Sequence, residues 1–370
     1  MTDPEIIVAG STPKADPADL RLVIADGDFA GWEDVEVSLR AEAFPNSFSI
    51  GASLPPGTSI PVNPGDPCTV ILGNDQVLDG YVDHVEDGGT ATGHRIDIAG
   101  RGKTQDLVDC SAEWPSHQLI NGNALTISNN LALAYGIAVS LGEGASAGET
   151  IPAWPLNYGE SGADIIQRVA RNANLLVYED SHGRLILAQV GTKRAASGAS
   201  FGENVEAWSW SRSMNQRFSD YVCCGSAIDA TMELPGGTFF DTEHDPGVPR
   251  HRLTHLILDQ SAQQPFDYTI KRAKWEAARR AGRSQVAMVT VDSWRDSAGV
   301  LWTPNTLVPV KLPGISRDLV IAEVRFHRSN ETGTTAELVM MPREAFTPEP
   351  ITLVPANFSD LTAPGGGGNQ

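Results

Sequence analysis

Alternation with a period of two runs through the start of the chain. Leu20, Leu22 and Ile24 alternate with Arg21 and Val23, and Val35, Val37 and Leu39 alternate with Glu36, Ser38 and Arg40. Phe48 and Ile50 alternate with Ser47 and Ser49. Successive side chains of a strand point to opposite faces, so each run predicts a strand with one buried face. Pro55-Pro56-Gly57 and Pro64-Gly65-Asp66-Pro67 break the pattern. Strands follow at 68–72 and 77–85, and a hairpin turn at Asp87-Gly88-Gly89 leads into 95–99. These elements predict a compact β module.

The period then changes. Leu125, Ile127, Leu131 and Ala134 have helical spacing, and Gly136 suits a left-handed helix end before a strand at 137–141. Ser161 is the expected N-cap of a second helix, with Asp164 in its first turn and Ile165, Ile166, Val169, Ala170 and Ala173 on its buried face. Asn174 ends it, and strands at 175–178 and 185–190 flank the turn 180–184. Trp208 and Trp210, then Tyr221 and Val222, then Leu253, Leu256 and Ile257 mark further strands. A helix is expected at 265–281, with Pro265 in its first position, Gly282 as its stop, and Phe266, Ile270, Ala273, Ala277 and Ala281 on one face. Residues 285–346 return to the β pattern, and the remainder is rich in Pro and Gly.

Self-similarity adds a higher level of order. A shift of 242 residues lays 67–101 on 309–343 without a gap. Pro67 then meets Pro309, Val70 meets Leu312, Leu78 meets Val320, Val82 meets Val324 and His84 meets Phe326. Ile96 meets Leu338, Ile98 meets Met340 and Arg101 meets Arg343. The alternation stays in phase, so both copies are expected to bury the same face. Two unrelated hairpins would also give such a match. A shift of 38 residues pairs Ile127 with Ile165, Leu131 with Val169, Ala132 with Ala170, Gly136 with Asn174, Ile137 with Leu175 and Val139 with Val177. It suggests two helix–strand units in one small α/β domain, although any two amphipathic helices followed by strands align in this way.

Composition narrows the function. The formal net charge of −19 disfavours a protein that grips nucleic acid or a membrane surface. It suits a protein that a polyanion passes without sticking. Cys68, Cys110, Cys223 and Cys224 form no CxxC or Cys/His cluster and read as reduced thiols. Met1-Thr2-Asp3-Pro4-Glu5 has no basic stretch, and no apolar run is long enough to span a bilayer, so a cytoplasmic protein is expected.

Motifs that carry chemistry are incomplete. Gly100-Arg101-Gly102-Lys103-Thr104 ends like a phosphate-binding loop, but Asp97 stands where its first glycine belongs. Ser146 and Ser200 each lie in G-x-S-x-G, yet neither opens a helix as a nucleophile elbow requires. His251 and His255 are four apart without the glutamate of a zinc-protease motif. Asp241, Glu243 and Asp245 start like a calcium loop, but Pro246 and Arg252 replace its glycine and glutamate. Glu179-Asp180 offers a carboxylate pair of unfixed separation. No catalytic, cofactor-binding or metal residues are therefore expected, and no cofactor. One basic cluster stands out on the helix expected at 265–281. Arg272, Arg279, Arg280 and Arg283 are candidate subunit-interface residues facing acidic surface on a neighbouring copy, or else a solvated helix face.

Several segments together resemble a known family. They are Pro61-Val62 through Pro64-Gly65-Asp66-Pro67-Cys68-Thr69-Val70, Leu78-Asp79-Gly80-Tyr81-Val82-Asp83, and Gly100-Arg101 with Asp106-Leu107-Val108-Asp109-Cys110-Ser111-Ala112. Leu301-Trp302-Thr303-Pro304-Asn305-Thr306-Leu307-Val308-Pro309-Val310 and Leu338-Val339-Met340-Met341-Pro342-Arg343-Glu344-Ala345-Phe346 belong with them. In order and content, over about 20–346, the chain resembles the baseplate hub proteins of bacteriophage Mu and related contractile tails.

The resemblance implies an α+β, β-dominated fold in which two similar β-barrel domains form a ring, with small α/β insertions. The first barrel is expected at 1–104, the α/β domain at 105–200, a mixed joining segment at 201–284, the second barrel at 285–346 and an extended tail at 347–370. It implies a non-enzymatic homotrimer that adapts a six-fold tail tube to a three-fold spike and lines the DNA channel. Expected partners are the spike, tail-tube and baseplate wedge proteins, without sequence-specific nucleic-acid binding or a membrane. Its place would be the virion tail baseplate, after assembly in the host bacterial cytoplasm. A β-rich hydrolase of cell-wall or other glycans is the alternative function, and a soluble carbohydrate-binding module is a third.

Overall fold

The computed structural model describes residues 19–25, 27–58, 60–114, 118–226, 238–258 and 268–351. The expected Pro265 helix start, Phe266 and most of the tail lie outside the described residues.

The first module contains β1 (Leu20–Ile24), β2 (Gly27–Phe29), β3 (Asp34–Arg40), β4 (Ser47–Leu54), β5 (Pro67–Leu72), β6 (Asp75–Gly89) and β7 (His94–Gly102). Its alternation translates directly into burial: Leu20, Leu22, Val35, Val37, Leu39, Phe48 and Ile50 all point into the core. The expected turn at Asp87-Gly88-Gly89 is displaced. Gly88 and Gly89 still pair with Arg95 and His94, and the chain reverses over residues 90–93, where Thr90 N–H donates to Gly93 O at 2.6 Å.

The middle of the chain supplies α1 (Gln105–Asp109), β8 (Gln118–Gly122), α2 (Ala124–Leu133), β9 (Val139–Leu141), β10 (Ile151–Pro155), α3 (Gly162–Asn172), β11 (Leu176–Glu179) and β12 (Leu185–Ala188). The 38-residue repeat holds down to its caps. Asn123 accepts the Thr126 N–H, and Ser161 accepts the Asp164 N–H. Gly136 and Asn174 both have positive φ, 65° and 58°. Ile137 N–H then closes on Ala132 O, and Leu175 N–H closes on Ala170 O. The two helices pack their apolar faces into one core with Ile137, Leu175, Val177, Leu185 and Leu187. β9 and β11 flank β12, one parallel and one antiparallel.

The remaining elements are β13 (Lys193–Arg194), β14 (Ala199–Ser200), β15 (Val205–Arg212), β16 (Asp220–Ser226), β17 (Thr238–His244), β18 (Leu253–Ile257), α4 (Tyr268–Arg283), β19 (Gln285–Val291), β20 (Thr306–Leu312), β21 (Ile315–Ser329) and β22 (Gly333–Met341). A single 3₁₀ turn, Arg343–Phe346, follows. β16 lies between β17 and β18, and Tyr221 and Cys223 are buried on the α4 side of that sheet.

Two details of α4 correct the sequence expectation. Gly282 does not stop the helix, which runs to Arg283. It is required by proximity instead: a Cβ there would lie 2.4 Å from the Ala345 backbone nitrogen. The buried face is Tyr268, Thr269, Ala273, Glu276 and Ala277, while Ile270 and Ala281 are only half-buried.

One 14-stranded sheet carries both modules, in the order β15-β19-β22-β21-β3-β4-β7-β6-β5-β1-β2, with β20 alongside β21 and β13 and β14 alongside β20. β13, β14 and β15 therefore lie on this shared sheet, outside the α/β domain and joining segment in which the sequence places them. Both modules also share one apolar core.

Candidate assembly interface

The sheet order contains the same five-strand unit twice. β3-β4-β7-β6-β5 matches β15-β19-β22-β21-β20, strand for strand. Equivalent cross-strand partners fix the match. Ile50 pairs with Ile98 as Val289 pairs with Leu338, and Val35 pairs with Ile50 as Trp208 pairs with Val289. Both long strands break register at the same place, between Val82 and His84 and between Ile321 and Glu323.

This geometry confirms the duplication and corrects its offset. β5 and β7 match β20 and β22 at 240 residues, and β6 matches β21 at 239. Val82 thus corresponds to Ile321 rather than Val324, and His84 to Glu323 rather than Phe326. The physical cause is local. Val70 pairs with Leu78 but Ile71 pairs with Gln76, so Val77 is an extra residue in the first copy that shifts its phase by one. An offset of 242 keeps the correct faces of β5 and β7, because the change is even, but reverses those of β6.

The two copies meet edge to edge. Glu323 through Arg328 of β21 pair antiparallel with Arg40 through Val35 of β3. Side chains reinforce the seam on its polar face. Arg40 reaches Glu323 at 3.4 Å, and Arg325 bridges Glu323 and Glu337 at 3.0 and 2.7 Å. Beneath them Val37, Val324 and Phe326 are fully buried. A contact between different surfaces of similar units is heterologous, the type that builds rings.

The small α/β domain is anchored to the first module by a buried carboxylate. Glu179 is 4% exposed, and its Oε2 accepts the Asn46 N–H at 2.7 Å while Oε1 accepts the Thr104 N–H at 3.2 Å. Burial pushes its pKa up to about 7, against the two N–H donors that favour the ionised form. A Cβ on Gly102 would lie 2.0 Å from Glu179 Oε2, so glycine is needed for the carboxylate to enter. Nothing in the sequence marked Glu179 as such an anchor, because its partners are backbone groups far away in the chain.

The four candidate arginines are brought together on α4, and each has partners within its own chain. Arg272 pairs with Glu276 and Glu349, and Arg280 with Glu276. Arg279 and Arg283 share Glu42. Arg272 and Arg279 flank the Trp275 ring, with guanidinium carbons 4.4 and 5.4 Å from its centre.

The chemical motifs remain scattered. Ser146 lies in a loop, Ser200 in the short β14, and Lys103 is tied to Asp79 at 2.5 Å. Asp245 is spent on Arg217 at 2.8 Å. His255 sits on β18, while His251 contacts Asp220 at 3.1 Å. Among the described residues no three His, Cys, Asp or Glu side chains are placed to hold a metal ion, and no helix is long and apolar enough to cross a membrane.

Comparison with known proteins matches this architecture segment by segment. Residues 19–102 match the N-terminal domain of the Mu phage baseplate assembly protein GpP-like family. Residues 104–189 match the second domain of the baseplate hub protein gp44-like family, and 267–349 match the fourth domain of the Mu phage baseplate assembly protein GpP family. The baseplate hub protein gp44 of Escherichia phage Mu is 29% identical over 366 residues, covering 93% of this chain and 92% of that protein. In sequence and in fold the chain is similar to the Mu-type baseplate hub proteins. Among solved structures, the 43 kDa tail protein of prophage MuSo2 from Shewanella oneidensis is 26% identical, with a TM-score of 0.81 over 89% of this chain and 99% of that one. The tail protein from Neisseria meningitidis MC58 shares the fold at 19% identity, with a TM-score of 0.76 over 90% of this chain and 98% of that one. The protein is thus a structural component of a phage tail baseplate, and the hub expectation holds at that level.

Proposed function

We propose that the protein is the trimeric hub that adapts a six-fold tail tube to a three-fold spike and surrounds the DNA channel. The observation that carries this reading is the pair of five-strand units joined edge to edge within one chain. Three chains with two units each present six similar faces toward a tube, while the α/β insertions keep a three-fold repeat for a spike. A further feature favours passage of DNA. The polar face of the sheet carries Asp34, Glu36, Asp97, Glu323 and Glu337 against Arg40, Arg95 and Arg325. A wall of paired charges with excess carboxylate repels phosphate and offers no free cationic groove. The spike, tail-tube and wedge proteins are its partners, it has no catalytic role, and it assembles in the host cytoplasm before joining the tail. Mass measurement in solution by light scattering tests the reading. Three chains per particle are expected, and a chain that stays monomeric at tens of micromolar overturns it.

A further inference from the structure

The internal seam uses two strand edges, and the counterpart of each is unoccupied at the other end of the repeat. β21 pairs with β20 along its first part and with β3 along its last part. β6, its counterpart, pairs with β5 along its first part, but from His84 to Gly89 it pairs only with β7 among the described residues. Among the described residues β15, the counterpart of β3, pairs with β19 and, beyond an isolated bridge from Val205 to Phe201, with no other strand. Six strands of the shared sheet separate β15 from β6, so these edges cannot meet within one chain.

We propose that His84–Gly89 of one protomer pair antiparallel with β15 of a second copy, reproducing between chains the β21·β3 seam formed within each. This rests on the ring reading above and adds the strands and the register. Carrying the seam over residue by residue sets Val85 opposite Arg212, Asp87 opposite Trp210 and Gly89 opposite Trp208. Glu86 then faces Ser211.

Hydrogen-bond phase agrees at both edges. Ala41 N–H donates to Ala322 O at 2.8 Å, which makes Leu39/Val324 and Val37/Phe326 hydrogen-bonded pairs in the seam. Thr90 N–H donates to Gly93 O, so Val85, Asp87 and Gly89 turn their backbone groups away from β7. Ser213 N–H donates to Ser284 O at 2.9 Å, so Trp208, Trp210 and Arg212 turn theirs away from β19. In the carried-over register, outward groups meet outward groups.

Burial points the same way. Val35, covered by the internal seam, is 4% exposed, whereas its counterpart Trp208, with the Phe201 ring edge-on at 6.5 Å, is 36% exposed on a strand whose edge beyond Val205 has no strand partner among the described residues. An uncovered edge bearing large aromatics is a template for strand addition. The facing segment suits it: Gly89 leaves room for the Trp208 ring, and Asp87 lies diagonal to Arg212, within reach of an ion pair.

The test is a disulfide between Glu86→Cys and Ser211→Cys, both exposed and opposite at a non-hydrogen-bonded pair, where Cα atoms come closest. Cys110, the exposed native thiol, is first replaced by serine. Mild oxidation of the full chain, with mass measured in solution and on a denaturing gel, is expected to give a covalent trimer from the double variant and none from either single variant. A trimer that does not cross-link overturns the strand pairing and leaves the ring reading intact. Cross-linking that closes at another number overturns the trimer and keeps the pairing. Neither assembly nor cross-link overturns both. Asp87→Pro removes one outward N–H and the exposed Asp87–His94 side-chain contact, and spares the backbone ladder to β7. At least a tenfold weaker association with an unchanged protomer melting temperature is expected, and unchanged association counts against the pairing.

Discussion

Gly65 and Asn305 hold the same place in the two copies. Both have positive φ, 94° and 59°, and both donate a backbone N–H to the long strand just before its irregularity: Gly65 to Val82 O at 2.7 Å, Asn305 to Ile321 O at 2.9 Å. Glycine meets the conformation without cost, and asparagine is one of the few other residues that adopts it readily. The second copy has added a task. Asn305 Oδ1 accepts the Gly191 N–H at 2.7 Å, and its amide donates to Gln189 O at 2.9 Å, which fastens the strand leaving the α/β domain.

The asymmetry makes these positions respond differently to substitution. Gly65→Ala meets no atom within 4 Å and bears only the backbone penalty, about 1 kcal/mol. Asn305→Gly keeps the backbone but leaves buried partners unsatisfied, at about 1–3 kcal/mol. Denaturant midpoints of the two variants should fall in that order, and Gly65→Asn should be the mildest of the three.

Glu179 makes the anchoring of the α/β domain depend on pH. Its folded pKa, about 7, lies above its ordinary 4.5, so the neutral form is favoured in the folded state. A raised pKa contributes stability that is fully present below about 4.5 and is lost as pH rises through about 7. At 1.36 kcal/mol per pKa unit the loss approaches about 3 kcal/mol. Thermal unfolding followed from pH 4.5 to 8 should show this decline in the parent chain and a much flatter profile in Glu179→Gln.

Gly282 tests the contact between α4 and the 3₁₀ turn. An added Cβ meets Ala345 backbone rather than a movable side-chain tip, so the turn must shift. Gly282→Ala should destabilise by about 1–3 kcal/mol, like other overpacked sites, although alanine is the better helix former. A rise in melting temperature would show that the turn yields freely.

How far the fold was legible follows from the range of each interaction. Alternation at Leu20, Val35 and Phe48 reports only local burial, and it located those strands. The caps at Ser161 and Asn174 are equally local and were readable. Val77 is not: a one-residue bulge leaves no mark in an alternating pattern, so a single ungapped offset cannot fit β6 together with β5 and β7. Gly282 reads in the sequence as a helix-ending glycine because its real constraint, Ala345, is remote in the chain. The arginines of α4 looked unmatched for the same reason, since Glu42 and Glu349 reach them only in the folded chain. The edges of β6 and β15 were invisible until the sheet order was known.

Thiol reactivity should sort the four cysteines by environment. Burial pushes the Cys68 thiol up to about 12, with Asp79, Asp83 and Asp66 adding to the effect, and pushes Cys223 up to about 11. Both are fully buried, and a thiolate is the reacting species, so neither should react in the folded chain at neutral pH. Cys224 is half-buried and also raised by burial, whereas Cys110 is exposed. Titration with a chromogenic disulfide should therefore show one fast thiol, lost in Cys110→Ser, then a slower one, lost in Cys224→Ser. The remaining two should appear only in denaturant. Rapid modification of Cys68 in the folded protein would mean that the core between β5 and β6 opens far more often than its packing implies.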